Sequence, residues 1–211
     1  MKKSEREYRN MTLEVREAQE DAPEMIVQGY ATTFDQPYHL WSDNIGGRTV
    51  EYWEKVDRSA FQETDMADVI MQYDHKGRVF ARIKNGTLTL EPDEHGLLTT
   101  ADLGGTDIGR QLYQEIKGGY TDKMSFGFTV KEDEETREES PEAVKYTRTI
   151  KAVGKLYDVS AVSIPANDMT ELSVRRLQEG VIQQAEAERL RERELILQRE
   201  RLALRARAFH V

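Results

Sequence analysis

The chain has no cysteine in 211 residues, which excludes disulfides, thiolate nucleophiles and cysteine metal sites. It has no apolar run near the roughly 18 residues needed to cross a bilayer. Its opening "MKKSEREYRN" lacks the apolar stretch of a signal peptide, so action inside a cell is the expectation. Histidine is scarce and scattered, at His39, His75, His95 and His210. None stands in an HExxH or paired-ligand spacing, and no metal or other cofactor is expected. A GxSxG elbow is missing too, which removes the usual α/β-hydrolase arrangement. "LGGTDIGR" is glycine-rich ahead of a helix but has neither GxGxxG nor a Walker lysine, and reads as a tight turn. Excess positive charge is also lacking. A net charge of −9 argues against general nucleic-acid binding, which needs surplus Lys and Arg to neutralise phosphates. From Val174 to the end, nine Arg against six Glu make a mildly basic tail of +3, leaving −12 on the rest.

What is present reads mostly as strands. "MTLEVRE" alternates, with Met11, Leu13 and Val15 on one face, and "MIVQGYATTF" and "RTVEYWEKV" are rich in β-branched and aromatic residues. "DVIMQYDH" puts Val69, Met71, Tyr73 and His75 on one face; "RVFARI", "GTLTLE" and "GLLTTADL" follow at short spacing around the turns "KNG" and "PDEHG". Such spacing favours an antiparallel barrel or sandwich over a parallel sheet. "TDIGRQLYQEIKGG" predicts a helix capped by Thr106, striped by Ile108, Leu112 and Ile116 and ended by Gly118 or Gly119. A short helix is expected around "DRSAFQET". "KEDEETREESPE" reads as a solvated acidic loop, followed by two strands, "KYTRTIKAV" and "KLYDVSAVSI", and a stop at Pro165.

The remainder, rich in Glu, Arg, Leu, Gln and Ala, is expected to be helical. Leu190, Leu197 and Leu204 recur every seven residues, but Arg193, Glu194 and Arg201 fill positions that a coiled coil would make apolar. So narrow a seam predicts a marginal helix that serves assembly. The alternative is a helix packed on the strands through Ile182, Leu190 and Leu195.

One stretch raises a chemical question. In "DKMSFGF", alternation sends Met124, Phe126 and Phe128 to one face and Ser125 and Gly127 to the other. Ser125 is then either a polar residue on a wet face or a nucleophile needing a base and an orienting group. Asp158 is odd in a different way. It is in phase with Leu156, Val162 and Ile164, and a carboxylate on an apolar face is costly to bury unless paired.

"YDHKGRVFARIKNGTLTLEPDEHGLLTTADL", the helix leading into "IKGGYTDKMSFGF", and "LYDVSAVSIPAND" together resemble the prohead maturation proteases of tailed bacteriophages related to phage HK97. That family in turn resembles the herpesvirus capsid assembly proteases. The resemblance, which runs from about Val27 to Val174, implies a β-rich α+β fold, a compact antiparallel β-barrel flanked by helices, so the protease domain is expected over residues 1–175, with residues 176–211 by their composition a charged helical tail. It also implies Ser125 as nucleophile, His75 as general base and Asp158 as third member. Backbone amides near Ser125 would supply oxyanion donors, with Gly127 keeping the strand face open and Arg175 or Arg176 assisting. Two positions depart from the family pattern: Asp158 stands where Glu is more usual, and Asp74 precedes His75 while Lys76 follows it. Alternation is expected to turn Asp74 away. The implied function is endoproteolysis of the scaffolding region of the major capsid protein, and of the protease itself, inside the assembling procapsid in the host cytoplasm. Expected partners are that capsid protein and further copies of the protease, with neither nucleic acid nor membrane. The rival reading is a procapsid core or scaffold protein without activity.

Overall fold

The computed structural model describes residues 6–12, 25–45, 47–163, 180, 182–183 and 186–200. Among these residues ten strands form two sheets: β1 (Arg6–Thr12), β2 (Ile26–Thr33), β3 (Tyr38–Ile45), β4 (Arg48–Val56), β5 (Ile70–Tyr73), β6 (Lys76–Arg82), β7 (Leu88–Pro92), β8 (Gly96–Asp102), β9 (Lys123–Glu139) and β10 (Ala143–Val162). The large sheet runs β1-β9-β10-β4-β3, with β5 on the far half of β10 and β6 beyond it; β2-β8-β7 form the small one. The chain is thus β-rich α+β. The closed antiparallel barrel is not formed among the described residues, for the ladders stay open and β10 pairs in parallel with both β4 and β5. The cause is the length of β10. Twenty residues reach past one neighbour, so β4 and β5 share one edge while β9 takes the other.

β10 also replaces the two expected strands. It runs through Gly154 with register shifts instead of a break. Likewise, the acidic segment is no loop. β9 continues through it to Glu139, and only residues 140–142 turn. Its side chains stay in water while its backbone pairs with β10. Cations and a phenol disperse its charge: Arg148 on Asp133 at 2.5 Å, Arg48 on Glu139 at 2.8 Å and the Tyr52 hydroxyl on Glu135 at 2.8 Å. Across β3, β4 and β10 this arm carries a small core of its own, Trp41, Val50, Tyr52, Val144 and Tyr146.

The main core lies between the two sheets, where Met124, Phe126 and Phe128 of β9 meet Val27, Ala31, Leu97 and Ala101 of the small sheet. Phe126 and Phe128 stack at 4.5 Å. α1 (Asp107–Lys117) forms as its sequence predicts. The Thr106 hydroxyl accepts the Gly109 amide at 3.1 Å, Leu112 and Ile116 face inward, and Gly119 leaves the helix at φ +73. A 3-10 turn (Ile83–Asn85) sits between β6 and β7. Residues 57–64 make successive turns instead of a helix. His39 lies exposed in β3.

In the expected strand "MTLEVRE", residues 13–17 lie outside the described set; β1 begins earlier, at Arg6. Of the tail, residues 186–200 are helical (α2), joined to the β9 arm by Arg137 on Glu188 at 2.7 Å. Leu190 and Leu195, which would have to cover strands in a packed tail, are 62% and 55% exposed. Leu204 and His210 lie outside the described residues.

Beneath the sheet sits a feature the composition conceals. Glu7, Arg9, Glu54 and Arg148 are all buried. Arg9 reaches both Glu54 (2.5 Å) and Glu7 (2.8 Å), and Arg148 reaches Glu7 at 2.8 Å and Glu54 at 3.1 Å. The Tyr38 hydroxyl donates to Glu54 at 2.5 Å. Burial alone would raise the Glu54 carboxyl, but the charges of Arg9 and Arg148 hold it below its ordinary value. Two cations against two anions make the cluster neutral, which is the condition for burying charge at all.

Candidate active site

Ser125, Gly127, Asp158 and Ser160 come together because β9 and β10 are paired: Ser160 lies opposite Ser125 and Asp158 opposite Gly127. Leu156, however, pairs with Phe128, so Tyr157 is an extra residue on β10 and the strand changes phase there. Before the bulge Leu156 points into the core; after it Val159 and Ala161 do. Asp158 and Ser160 are therefore turned to the opposite face from Leu156. The apolar stripe through Asp158 that the sequence suggests does not exist as one face.

His75 arrives from a turn, not a strand end. Tyr73 pairs with Lys76, and the two residues between them have positive φ, 47 at Asp74 and 56 at His75. This is the backbone of a tight two-residue hairpin, costing non-glycine residues roughly 1–2 kcal/mol each. Contacts with β10 hold it. The Asp74 amide donates to Ala161 O at 3.0 Å, and the His75 amide to Ser160 Oγ at 3.3 Å. The Asp74 carboxylate accepts from the Ser163 amide and hydroxyl. Asp74 thus faces away from the imidazole because of the turn, not because of strand alternation.

The imidazole then lies between two partners. His75 Nδ1 is 2.5 Å from Asp158 Oδ2 and Nε2 is 2.6 Å from Ser125 Oγ. A carboxylate can only accept, so Nδ1 carries the proton and the bare Nε2 accepts from the serine hydroxyl. Ser160 Oγ donates to the same Asp158 oxygen at 3.0 Å. Ser125, Asp158 and Ser160 are fully buried, while the His75 side chain keeps 17% exposure. Burial, then the positive charge of Arg6, pushes the His75 pKa down to about 4. Gly127 is required by crowding: a Cβ there would fall 2.6 Å from Asp158 Oδ1 and 2.7 Å from the Tyr8 ring.

Sequence reasoning missed three neighbours. Ser160 was legible, two residues after Asp158 and so on its face. Arg6 and Tyr8 were not, since they reach the site only through pairing of β1 with β9, more than a hundred residues away. Tyr8 packs against His75 with ring centroids 4.3 Å apart, and Arg6 bonds Asp158 Oδ1. The other histidines are elsewhere: His95 is in the turn before β8 and His39 packs edge-on against Trp53. Arg175 and Arg176 lie outside the described residues. No group of three or more His, Asp or Glu among the described residues could hold a metal. Beside the hairpin, an open cleft of about 560 Å³ is walled by Tyr73, Phe80, Ile108 and Leu112 and rimmed by Lys76 and Arg78.

The chain matches the family model described as caudovirus prohead serine protease over residues 11–183. That span includes Ser125, His75 and Asp158 and extends into the basic tail, but begins after Arg6 and Tyr8. No curated protein and no solved structure matches the chain.

Proposed function

Because the chain belongs to the caudovirus prohead serine proteases, we propose that it is a serine endopeptidase that cuts the scaffolding region of the major capsid protein, and itself, within the assembling procapsid. The observation that carries this reading is the unbroken hydrogen-bonded series from Ser125 through His75 to Asp158. Ser125 attacks a peptide carbonyl while His75 Nε2 takes its proton; His75 then protonates the leaving amine. Asp158 holds the tautomer and stabilises the imidazolium. Water repeats the sequence on the acyl-enzyme. The cleft beside the hairpin offers an apolar wall for a substrate side chain. Residues 1–175 carry this chemistry, and the tail from 176 serves packaging or assembly. Neither nucleic acid nor membrane belongs to this reading; no helix among the described residues is long and apolar enough to cross a bilayer.

The test is co-expression with the capsid protein encoded alongside, followed by intact mass measurement of both chains. Loss of a defined segment from the capsid protein, with shortened protease, is expected. Two intact chains, with no labelling of Ser125 by an active-serine probe, would return the chain to a scaffold without activity.

A pH prediction follows from the buried base. Only neutral His75 can accept a proton, so activity is present above its pKa and lost below it. With that pKa near 4, from burial and from Arg6, the labelling rate of Ser125 is expected to stay flat through the ordinary histidine range of about 6.5. It should fall only as pH approaches about 4. A limb at the ordinary value would show that the imidazole is solvated or freely paired with an uncompensated carboxylate.

A further inference from the structure

We propose that Arg6, supplied by the N-terminal strand β1, is a positioning residue of this site, which clamps Asp158 from the side opposite His75 and offsets part of its charge. This rests on the reading of Ser125 as nucleophile. Three observations carry it. Arg6 Nη2 donates to Asp158 Oδ1, while Oδ2 serves His75 and Ser160, so both carboxylate oxygens are engaged and the side chain has one orientation. The guanidinium is itself held, lying over the Tyr157 ring at 4.5 Å and over the Tyr8 ring at 5.2 Å. Tyr157 is the bulged residue that re-aims Asp158, and Tyr8 is the residue packed on His75. Finally, the space is reserved: a Cβ on Gly127 would stand 2.9 Å from Arg6 Nε and 2.6 Å from Asp158 Oδ1.

The opposite face of β1 anchors it. Glu7 and Arg9 enter the buried ionic cluster with Glu54 and Arg148. One short strand therefore carries an anchor on one side and a clamp on the other. The consequence is electrostatic as well as steric. An unshared carboxylate beside an imidazole favours its protonated form; a cation on the other oxygen weakens that field and keeps the base free. The titratable and charged groups around His75 are Arg6 and Tyr8 from β1, Asp158 and Tyr157 from β10, and Asp74, Tyr73 and Lys76 of its own hairpin, with the Ser125 hydroxyl from β9.

The test is the pH profile of Ser125 labelling by a fluorophosphonate in the full chain, for wild type, Arg6→Met, Arg6→Gln and Arg6→Lys. Arg6→Met removes the charge and keeps the stem. It is expected to slow labelling at neutral pH by about tenfold or more, and to move the acid limb up by about one pH unit, the size of a lost neighbouring charge. Arg6→Lys should restore the limb, because the charge is what sets it. A wild-type rate and limb in a folded Arg6→Met protein would overturn the proposal. So would equal slowing by Met and Lys with the limb unmoved, since that pattern belongs to packing alone. Should Arg6→Met not fold, Arg6→Gln and Arg6→Lys decide: a raised limb in Gln only supports the clamp, and identical limbs overturn it. Unlabelled wild-type Ser125 sinks both this proposal and the protease reading. Labelled wild type with indifferent Arg6 variants sinks this one alone.

Discussion

Ser125→Ala is expected to leave the protein folded and a co-expressed capsid protein uncut. The hydroxyl is buried and makes one strong contact, with His75 Nε2 at 2.6 Å. Removing it deletes one oxygen from a face that is not part of the main core. The stability cost is therefore that of one buried imidazole nitrogen losing its partner, about 1–3 kcal/mol. The catalytic cost is of another size, about 10⁴- to 10⁶-fold in kcat, because the remaining residues cannot form the acyl-enzyme. Intact mass of the capsid protein and of the protease reads the outcome, with the melting temperature as control. Normal cleavage by a folded Ser125→Ala protein would remove Ser125 from the mechanism. The change also separates two reasons for an inactive preparation, since an unfolded variant would implicate the hairpin and its docking onto β10, not the nucleophile.

Arg148→Met is expected to produce the largest loss of stability. Arg148 is buried and contacts Glu7, Glu54 and Asp133. Without it, Arg9 alone faces two buried carboxylates, and breaking a buried ion pair from one side costs about 3–5 kcal/mol. For a chain of this length that is a fall in melting temperature of about 10 °C. The sign of its pH dependence is fixed by Glu54, whose folded pKa is held below the ordinary value against burial by the two arginines and Tyr38. A depressed carboxyl contributes stability above its unfolded pKa, about 4.3, and loses it as pH falls through the folded one. The deficit of the variant should accordingly be greatest at neutral pH and shrink in acid, where the stranded carboxylates take up protons. Thermal melts across that range check it; a deficit independent of pH would mean lost packing instead of lost charge. Because Glu7 and Arg9 belong to β1, the variant should also label poorly at Ser125, as Arg6 and Tyr8 are carried by the same strand.

Legibility in the sequence followed the range of the interaction. α1 was readable to its ends, since Thr106, Leu112, Ile116 and Gly119 act within a few residues of one another. β2 and β4 were readable from their β-branched and aromatic residues, and β7 and β8 from their short spacing around turns. β3 escaped because its apolar and polar residues do not alternate and only Trp41 among them is buried. The acidic half of β9 escaped because its strand is held by backbone pairing and by arginines from β4 and β10, while its own side chains carry no apolar period. Asp158 was visible as an anomaly, but the face that alternation assigned to it was not the one it takes. One bulged residue changed which of its neighbours share its face.

Taken alone, the sequence determined the local terms: the ends of α1, the central residues of most strands, which residue types exist for chemistry, and, through the resemblance of its motifs, which three form the candidate triad. Only the tertiary structure decided what those residues meet. The order of strands around β10, the open sheets in place of a barrel, the strained turn that aims His75, the neutral burial of Glu7, Arg9, Glu54 and Arg148, and the arrival of Arg6 at Asp158 all depend on contacts between distant segments. The physical reason is that propensity and alternation are properties of neighbouring residues. The free energy of a buried charge, or the direction of a side chain after a bulge, is set by atoms the chain brings up from elsewhere.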